Sequence, residues 1–377
     1  MRLYIIAGEA SGDLHGSNLV RELKKLNSNL EIRGWGGDLM QKEGVDLQKH
    51  IRDLAFMGFI EVVKNLGTIL RNFNFCKKDI LEFKPDAIIL VDYPGFNLRL
   101  AKWAKKQGIK VIYYIAPQVW AWHKSRVKQM RKNIDKLLII LPFEIDFFAK
   151  YGVEAEFVGH PLLDEISRNS DLAYVSESGK PVIAILPGSR KQEIQTILPL
   201  QLSVIENFPD YEFVIAGTEE HRDFYAKIIG NQNVKLVFNQ TYALLRSAKA
   251  ALVKSGTSTL ETALFEVPEV VCYKGSWISY IIAKNVIDIK YIAMVNLIMD
   301  KPVVTELIQN DLNTDNLTKE LTKCLSSPYR ETQIADYKLL KQKLRESSSR
   351  AKSEITSTSP SNNASLRAAE TILEFLK

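Results

Sequence analysis

Two acids in this sequence stand where a parallel sheet would aim them at a ligand. Glu9 lies in Gly8-Glu9-Ala10-Ser11-Gly12-Asp13, directly after the apolar run Leu3–Ala7. Glycines there let backbone approach a ligand, and the start of the following helix favours an anion. The string is neither GxGxxG nor a P-loop, so it implies neither a dinucleotide nor a nucleoside triphosphate. Read locally it is equally a tight turn in which Ser11 or Asp13 caps a helix. Glu9, buried in a glycine-rich turn, has no such structural use. Asp92 closes the apolar run Ala87–Val91 and precedes Tyr93-Pro94-Gly95-Phe96-Asn97. A carboxylate at that place faces a cleft, where a general base would stand; the competing reading is a turn aspartate before Pro94-Gly95.

Two further motifs suit an anion. The run Val182–Leu186 leads into Pro187-Gly188-Ser189-Arg190 and then Gln192, Glu193 and Ile194. A glycine turn before a helix start binds anions, and Arg190 adds a fork of donors matched to phosphate. The run Ala250–Val253 leads into Lys254-Ser255-Gly256-Thr257-Ser258-Thr259-Leu260-Glu261. Hydroxyls and backbone N–H groups crowd this second helix start, and Glu261 shares a helical face with Thr257. A carboxylate there accepts hydrogen bonds from ribose hydroxyls. Each motif alone is also an ordinary capped helix. Together they make a nucleotide-diphosphate site.

Other stretches are less pointed. Ala116-Pro117-Gln118-Val119-Trp120-Ala121-Trp122-His123 sets two tryptophans and a histidine at a strand's end, a pattern suited to a sugar face. The basic residues after it, Lys124, Arg126, Lys128, Arg131 and Lys132, also read as a solvated face. Between Phe59 and Phe75, apolar residues recur at helical spacing, among them Ile60, Val62, Val63, Leu66, Ile69 and Leu70, flanked by Lys64, Arg71, Lys77 and Lys78. Spacing alone favours a core-facing helix; the functional reading is a patch that docks on an anionic bilayer. No HExxH, paired-cysteine spacing or GxSxG occurs, so no metal site and no cofactor are expected.

The elements that hold these groups alternate strand and helix. Strands are expected at Leu3–Ala7, Glu31–Trp35, Ala87–Val91, Lys110–Ile115 and Leu137–Leu141. They resume at Val182–Leu186, Phe213–Gly217, Val234–Phe238, Ala250–Val253 and Val270–Tyr273. Short unbroken apolar runs of this kind suit strands covered on both faces of a parallel sheet. The alternation restarts after a polar stretch from Leu163 to Lys180. The expected fold is therefore α/β, with two Rossmann-like doubly wound domains, 1–165 and 180–345, facing a cleft. Residues 346–377 follow as a flexible Ser/Thr-rich loop and an amphipathic helix, Ala364–Leu376, whose apolar stripe offers a homodimer face. A length of 377 residues fits two domains. Lys and Arg number 50 against 44 Asp and Glu, a net charge of +6, too mild for a nucleic-acid binder. Three scattered cysteines, no signal-like start and no long apolar window point to the cytoplasm.

Taken in order along the chain, these motifs resemble the lipid-A-disaccharide synthases. The strings are GEASGD at 8–13, MGFIEV at 57–62, VDYPGFN at 91–97, PQVWAW at 117–122, LPFE at 141–144, FVGHPLLD at 157–164, LPGSR at 186–190 and SGTSTLE at 255–261, with the pair Asn296-Leu297. The resemblance implies a GT-B glycosyltransferase that needs no metal and binds its donor in the C-terminal domain. The donor would be UDP-2,3-diacylglucosamine and the acceptor 2,3-diacylglucosamine 1-phosphate. The products would be a β(1→6)-linked disaccharide 1-phosphate and UDP, with inversion. Asp92 would be the base. Arg190, Pro187–Ser189 and the helix start at Gly256–Ser258 would hold the diphosphate, and Glu261 the ribose. Glu9, with Ser11 and Gly12, would contact acceptor or donor sugar, and Asn296 would line the cleft. Acylated substrates make an exposed apolar patch expected, with peripheral attachment to the inner membrane. The competing reading is another GT-B enzyme of UDP-sugars, such as a peptidoglycan-precursor N-acetylglucosaminyltransferase or a UDP-sugar epimerase.

Overall fold

A computed structural model of the chain describes residues 1–54, 66–122, 124–168, 173–275, 290–345 and 363–377. The chain divides into two compact units, residues 1–164 with 344–377, and residues 165–343. The first unit is built on seven parallel strands: β1 (Arg2–Ala7), β2 (Glu31–Gly36), β3 (Asp46–His50), β4 (Ala87–Val91), β5 (Lys110–Tyr114), β6 (Lys136–Ile139) and β7 (Glu156–Phe157). Their spatial order is β3-β2-β1-β4-β5-β6-β7. The second unit has six: β8 (Val182–Leu186), β9 (Glu212–Gly217), β10 (Lys235–Phe238), β11 (Ala248–Lys254), β12 (Glu269–Tyr273) and β13 (Thr305–Ile308), in the order β10-β9-β8-β11-β12-β13.

The central strands are apolar on both faces because helices cover both. Every residue of β4 and of β8 is buried. In β1 alternate side chains divide between two cores: Tyr4 and Ile6 on one face, Leu3, Ile5 and Ala7 on the other. This explains the unbroken apolar runs. Both sheets reverse their strand order at one place, between β1 and β4 in the first unit and between β8 and β11 in the second. Open α/β sheets bind ligands outside the carboxyl ends of strands at such a switch point. Those four strand ends carry the motifs of Glu9, Asp92, Arg190 and Lys254–Glu261.

Three strands escape the apolar-run criterion: β3, β7 and β13. All three lie at sheet edges beyond the central apolar strands, and β3 (Asp-Leu-Gln-Lys-His) has no fully buried residue. The stretch read as a linker begins with a helix, Leu162–Arg168. The terminal helix Ala364–Leu376 belongs to the first unit. Its Ala368, Ala369 and Ile372 are fully buried and share a core with Leu19, Val20 and Leu23 of the helix Ala10–Leu26. Asp164 caps its start, accepting N–H bonds from Ala364 at 3.0 Å and Ser365 at 2.9 Å. The apolar stripe expected to offer a dimer face is covered by the chain itself. The loop at 346–362 lies outside the described residues.

Candidate functional site

In the first unit the switch point is shaped by a strained turn. Asp92 and Tyr93 both have left-handed backbone, at φ 44° and 49°. Such conformations persist in non-glycine residues only where surroundings over-determine them, and they cluster at functional sites. Here the Tyr113 hydroxyl donates to the Asp92 carbonyl at 2.6 Å, and the buried Asn97 amide donates to the same oxygen at 2.8 Å. The Asp92 N–H donates to the Tyr114 carbonyl at 3.1 Å. The turn lays the Tyr93 ring over Gly8, where any Cβ would run into it. Gly8 is therefore required by the approach of two strand ends. Burial, and then the nearby Glu9 carboxylate, push the Asp92 carboxyl up to about 6.

The neighbouring motif residues divide by role. Glu9 is exposed at the N-cap of Ala10–Leu26, not buried as its glycine-rich setting suggested, because the turn points outward from the strand end. Ser11 is exposed as well, while Gly12 is buried against Ala7. Asp13 caps a neighbouring helix instead of its own. Its carboxylate accepts N–H bonds from Gly37 at 2.7 Å, Met40 at 3.0 Å and Leu39 at 3.1 Å, fixing the start of Asp38–Lys42. Trp120 presents no sugar-facing ring. It is buried, its indole N–H donates to Glu144 at 3.2 Å, and it packs edge-on against Phe143 at 5.1 Å. Glu144 is fully enclosed and burial pushes it up to about 8, so it is largely neutral at pH 7. His123 lies outside the described residues.

In the second unit the switch point opens into a cavity of about 480 Å³. Its lining includes Gly188, Ser189, Gly256, Thr257, Ser258 and Glu261, all of them expected from sequence. Pro187 and Arg190 bracket Gly188–Ser189; the Arg190 side chain is two-thirds exposed at the start of Lys191–Leu202. Gly188 has φ 102°, and a Cβ there would meet Glu193 Oε2 at 2.6 Å. Gly256 is the N-cap of Thr257–Leu264, whose first turn faces the cavity. Glu261 is fixed by the Tyr242 hydroxyl, which donates to it at 2.9 Å. Burial raises the Glu261 carboxyl above the usual carboxylate range, partly offset by hydrogen bonds from Tyr242 and Ser258.

Sequence reasoning missed several lining residues: Thr218, Asn239, Gln240, Thr241 and Tyr242; Lys254 opens the Lys254–Glu261 motif without an assigned role. Thr218 follows β9 and Asn239 follows β10, so both stand at the same ends of their strands as the motifs. They carry no glycine-rich or charged signature. The usable signal is position, since every carboxyl end in a parallel sheet is a candidate.

Asn296 is corrected by the structure. It is buried, and its amide donates to the Val304 carbonyl and to Glu306 Oε1, both at 2.9 Å, while its oxygen accepts the Val304 N–H at 2.9 Å. Those bonds occupy its polar atoms inside the unit. Of the apolar patch, Ile60, Val62 and Val63 lie outside the described residues. Leu66 opens the helix Leu66–Phe83, in which Ile69 is partly buried and Leu70 is 53% exposed. Among the described residues no helix is long and apolar enough to cross a membrane.

The family model described as Lipid-A-disaccharide synthetase matches residues 3–358. A lipid-A-disaccharide synthase from Geobacter sulfurreducens is 37% identical over 356 residues, covering 91% of this chain and 93% of the relative. One from Syntrophus aciditrophicus is 40% identical over 346 residues, covering 88% and 90%. Among solved structures, the glycosyltransferase of kitacinnamycin has a TM-score of 0.71 at 14% identity, over 100% of this chain and 99% of that one. The S. aureus MnaA–UDP co-structure has a TM-score of 0.66 at 12% identity, over 100% and 96%. At these identities the structural likeness speaks for the fold.

Proposed function

Because this chain belongs to the lipid-A-disaccharide synthase family, it is a glycosyltransferase, and we propose a division of labour between its two units. The reaction moves 2,3-diacylglucosamine from UDP-2,3-diacylglucosamine to the 6-hydroxyl of 2,3-diacylglucosamine 1-phosphate, releasing UDP. An α-linked donor and a β-linked product require a single in-line displacement. Two tasks follow: removing the acceptor's proton and stabilising the leaving diphosphate.

Asp92 takes the proton. Its carboxyl, pushed up to about 6, remains mostly ionised at pH 7 yet is more basic than a free aspartate. The turn that fixes its backbone supports this role, since a base must be held in place. Glu9 and Ser11, exposed beside it, contact sugar hydroxyls. The second unit takes the UDP. The backbone of Gly188–Ser189, the helix start at Thr257–Ser258 and the Arg190 guanidinium meet the diphosphate as charge develops on it. Glu261, oriented by Tyr242, holds the ribose hydroxyls. The S. aureus MnaA structure, solved with UDP, lends the second unit's cavity a fold-level precedent.

The acylated substrates enter from a bilayer surface, with the exposed Leu70 and its neighbours on the Leu66–Phe83 helix against the acyl region. The observation that carries the catalytic reading is Asp92 in a strained turn at a switch point, its backbone N–H and carbonyl both hydrogen-bonded. The test mixes labelled acceptor, UDP-diacylglucosamine and EDTA with wild type or Asp92→Ala. Disaccharide from wild type and a loss of at least about a thousandfold in the variant are expected. A folded Asp92→Ala enzyme within tenfold of wild type would remove Asp92 from the chemistry.

A further inference from the structure

The second unit's cavity contains a carboxylate where an anion site would not ordinarily place one. Glu193 lines the same cavity as the helix start at Thr257–Ser258 and the Gly188–Ser189 backbone. Its Oε1 pairs with Lys254 Nζ at 2.8 Å and lies 3.9 Å from Arg190 Nη1. Its Oε2 accepts the Arg190 N–H at 3.4 Å, and Gly188 closes over the same oxygen. Glu193 is thus fixed by backbone, while Lys254 sits on a flexible stem at the end of β11, its ammonium above Gly256. The side chains of both are about four-fifths covered, so their charges are only partly screened by water.

Resting on the donor-site reading above, we infer that Lys254 is a diphosphate ligand and that Glu193 is its internal counter-anion and drives out the product UDP. Without a diphosphate to meet, Lys254 pairs with Glu193. When the diphosphate arrives, the mobile ammonium turns to it and the fixed carboxylate stays. Glu193 then faces a like charge. In the intact donor the diphosphate is a diester. After transfer its terminal phosphate is free and gains close to one further negative charge at pH 7. Repulsion from Glu193 therefore grows at the moment the sugar leaves, so UDP is held less tightly than its extra charge would otherwise allow. Lys254 acts in both states, since it attracts either diphosphate.

The test measures binding of UDP, of uridine and of UDP-diacylglucosamine by calorimetry to wild type, Glu193→Gln and Lys254→Met. Gln keeps an acceptor for the Arg190 N–H, and Lys254→Met leaves the helix cap whole, so each variant can be tested independently of the other's folding. Glu193→Gln should tighten UDP about tenfold and the donor by only about threefold, leaving uridine within about twofold. Lys254→Met should loosen both diphosphates by about tenfold and again spare uridine. Product inhibition by UDP should strengthen in Glu193→Gln, and the effect should shrink in high salt. Equal tightening of donor and UDP, or unchanged UDP affinity in both variants, would leave Glu193 a helix cap and overturn the inference while wild-type UDP binding still stands. Failure of wild type to bind UDP at all would instead overturn the donor-site reading, and this inference with it.

Discussion

Replacing Glu9 by Gln should move the acid limb of the enzyme's pH profile without abolishing activity. The Asp92 carboxyl rises from 3.8 to about 6, first through burial and second through the Glu9 carboxylate. A base works when ionised, so kcat/KM should fall as pH drops through about 6 in the wild type. Glu9 is the smaller cause, so its removal should lower the limb by up to about one pH unit and leave burial in place. With a limb at 6, about one tenth of Asp92 is ionised at pH 5; with a limb at 5, about half is, a fivefold gain. At pH 8 the two enzymes should match within whatever Glu9 contributes to sugar binding. Initial rates of disaccharide formation at subsaturating donor, from pH 4.5 to 8.5, give both limbs. A wild-type profile flat down to pH 4.5 refutes Asp92 as a base with a raised pKa. A limb at 6 that Glu9→Gln fails to move refutes the like-charge coupling and leaves burial as the whole cause.

The same shift makes a stability prediction of definite sign. An acid whose folded pKa is raised binds its proton more tightly in the folded state. Between 3.8 and about 6 the folded protein then holds more protons, and stability falls as pH rises through that window. Above it the ionised Asp92 costs at most about 3 kcal/mol, less whatever its partial exposure returns. Asp92→Asn removes the charge and tolerates left-handed backbone. It should melt higher than wild type at pH 7.5, with a much smaller difference at pH 4, while making no disaccharide. An equal or lower melting temperature at pH 7.5 would contradict the burial argument.

Other substitutions separate chemistry from scaffold. Arg190→Lys keeps the charge but loses the two-pronged fork, and should lower kcat by about tenfold, against about a hundredfold for Arg190→Ala, in steady-state assays. Tyr242→Phe removes the hydroxyl that fixes Glu261 and should raise KM for the donor about three- to tenfold with kcat within about twofold. Asp13→Ala strands three backbone N–H groups at the start of Asp38–Lys42 and should lower stability by about 3 kcal/mol in urea unfolding, placing Asp13 in the scaffold.

The core of both sheets is legible in the sequence because the central strands, covered on both faces, show as unbroken apolar runs; Ala87–Val91 and Val182–Leu186 come out with the same bounds. The edges are not. Asp46–His50 is half-exposed and polar, so nothing in its residues distinguishes it from a loop. The site follows the same logic. Gly188, Ser189, Thr257 and Glu261 announce themselves through glycine and hydroxyl motifs, whereas Thr218 and Tyr242 reach the cavity only because β9 and β10 end beside it. Misreadings arise where a polar tip has an internal partner. Trp120 and Asn296 look like ligand-facing residues, but Glu144 takes the indole N–H, and Val304 with Glu306 takes the amide. A sequence lists donors and acceptors without saying which of them meet each other.

Both units use one topology, and the difference between them lies in the charge gathered at the switch point. In the first, Asp92 is raised by burial and by Glu9, and Glu144, itself raised by burial, feels the Asp92 charge. Carboxyls set against one another in poor solvation favour taking up a proton, which is what a general base does. In the second, Arg190, Lys254 and the start of Thr257–Leu264 gather positive potential around about 480 Å³, tempered by Glu193. On the proposed reading that positive potential is what meets the diphosphate. The glycines mark how tightly each set is assembled: Gly8 admits the Tyr93 ring and Gly188 admits the Glu193 carboxylate, and at both places a Cβ would run into that side chain. Fold alone would not separate this chain from an epimerase with the same sheets. In the proposed assignment, the carboxyl cluster in one unit serves the acceptor and the positively charged cavity in the other serves the diphosphate.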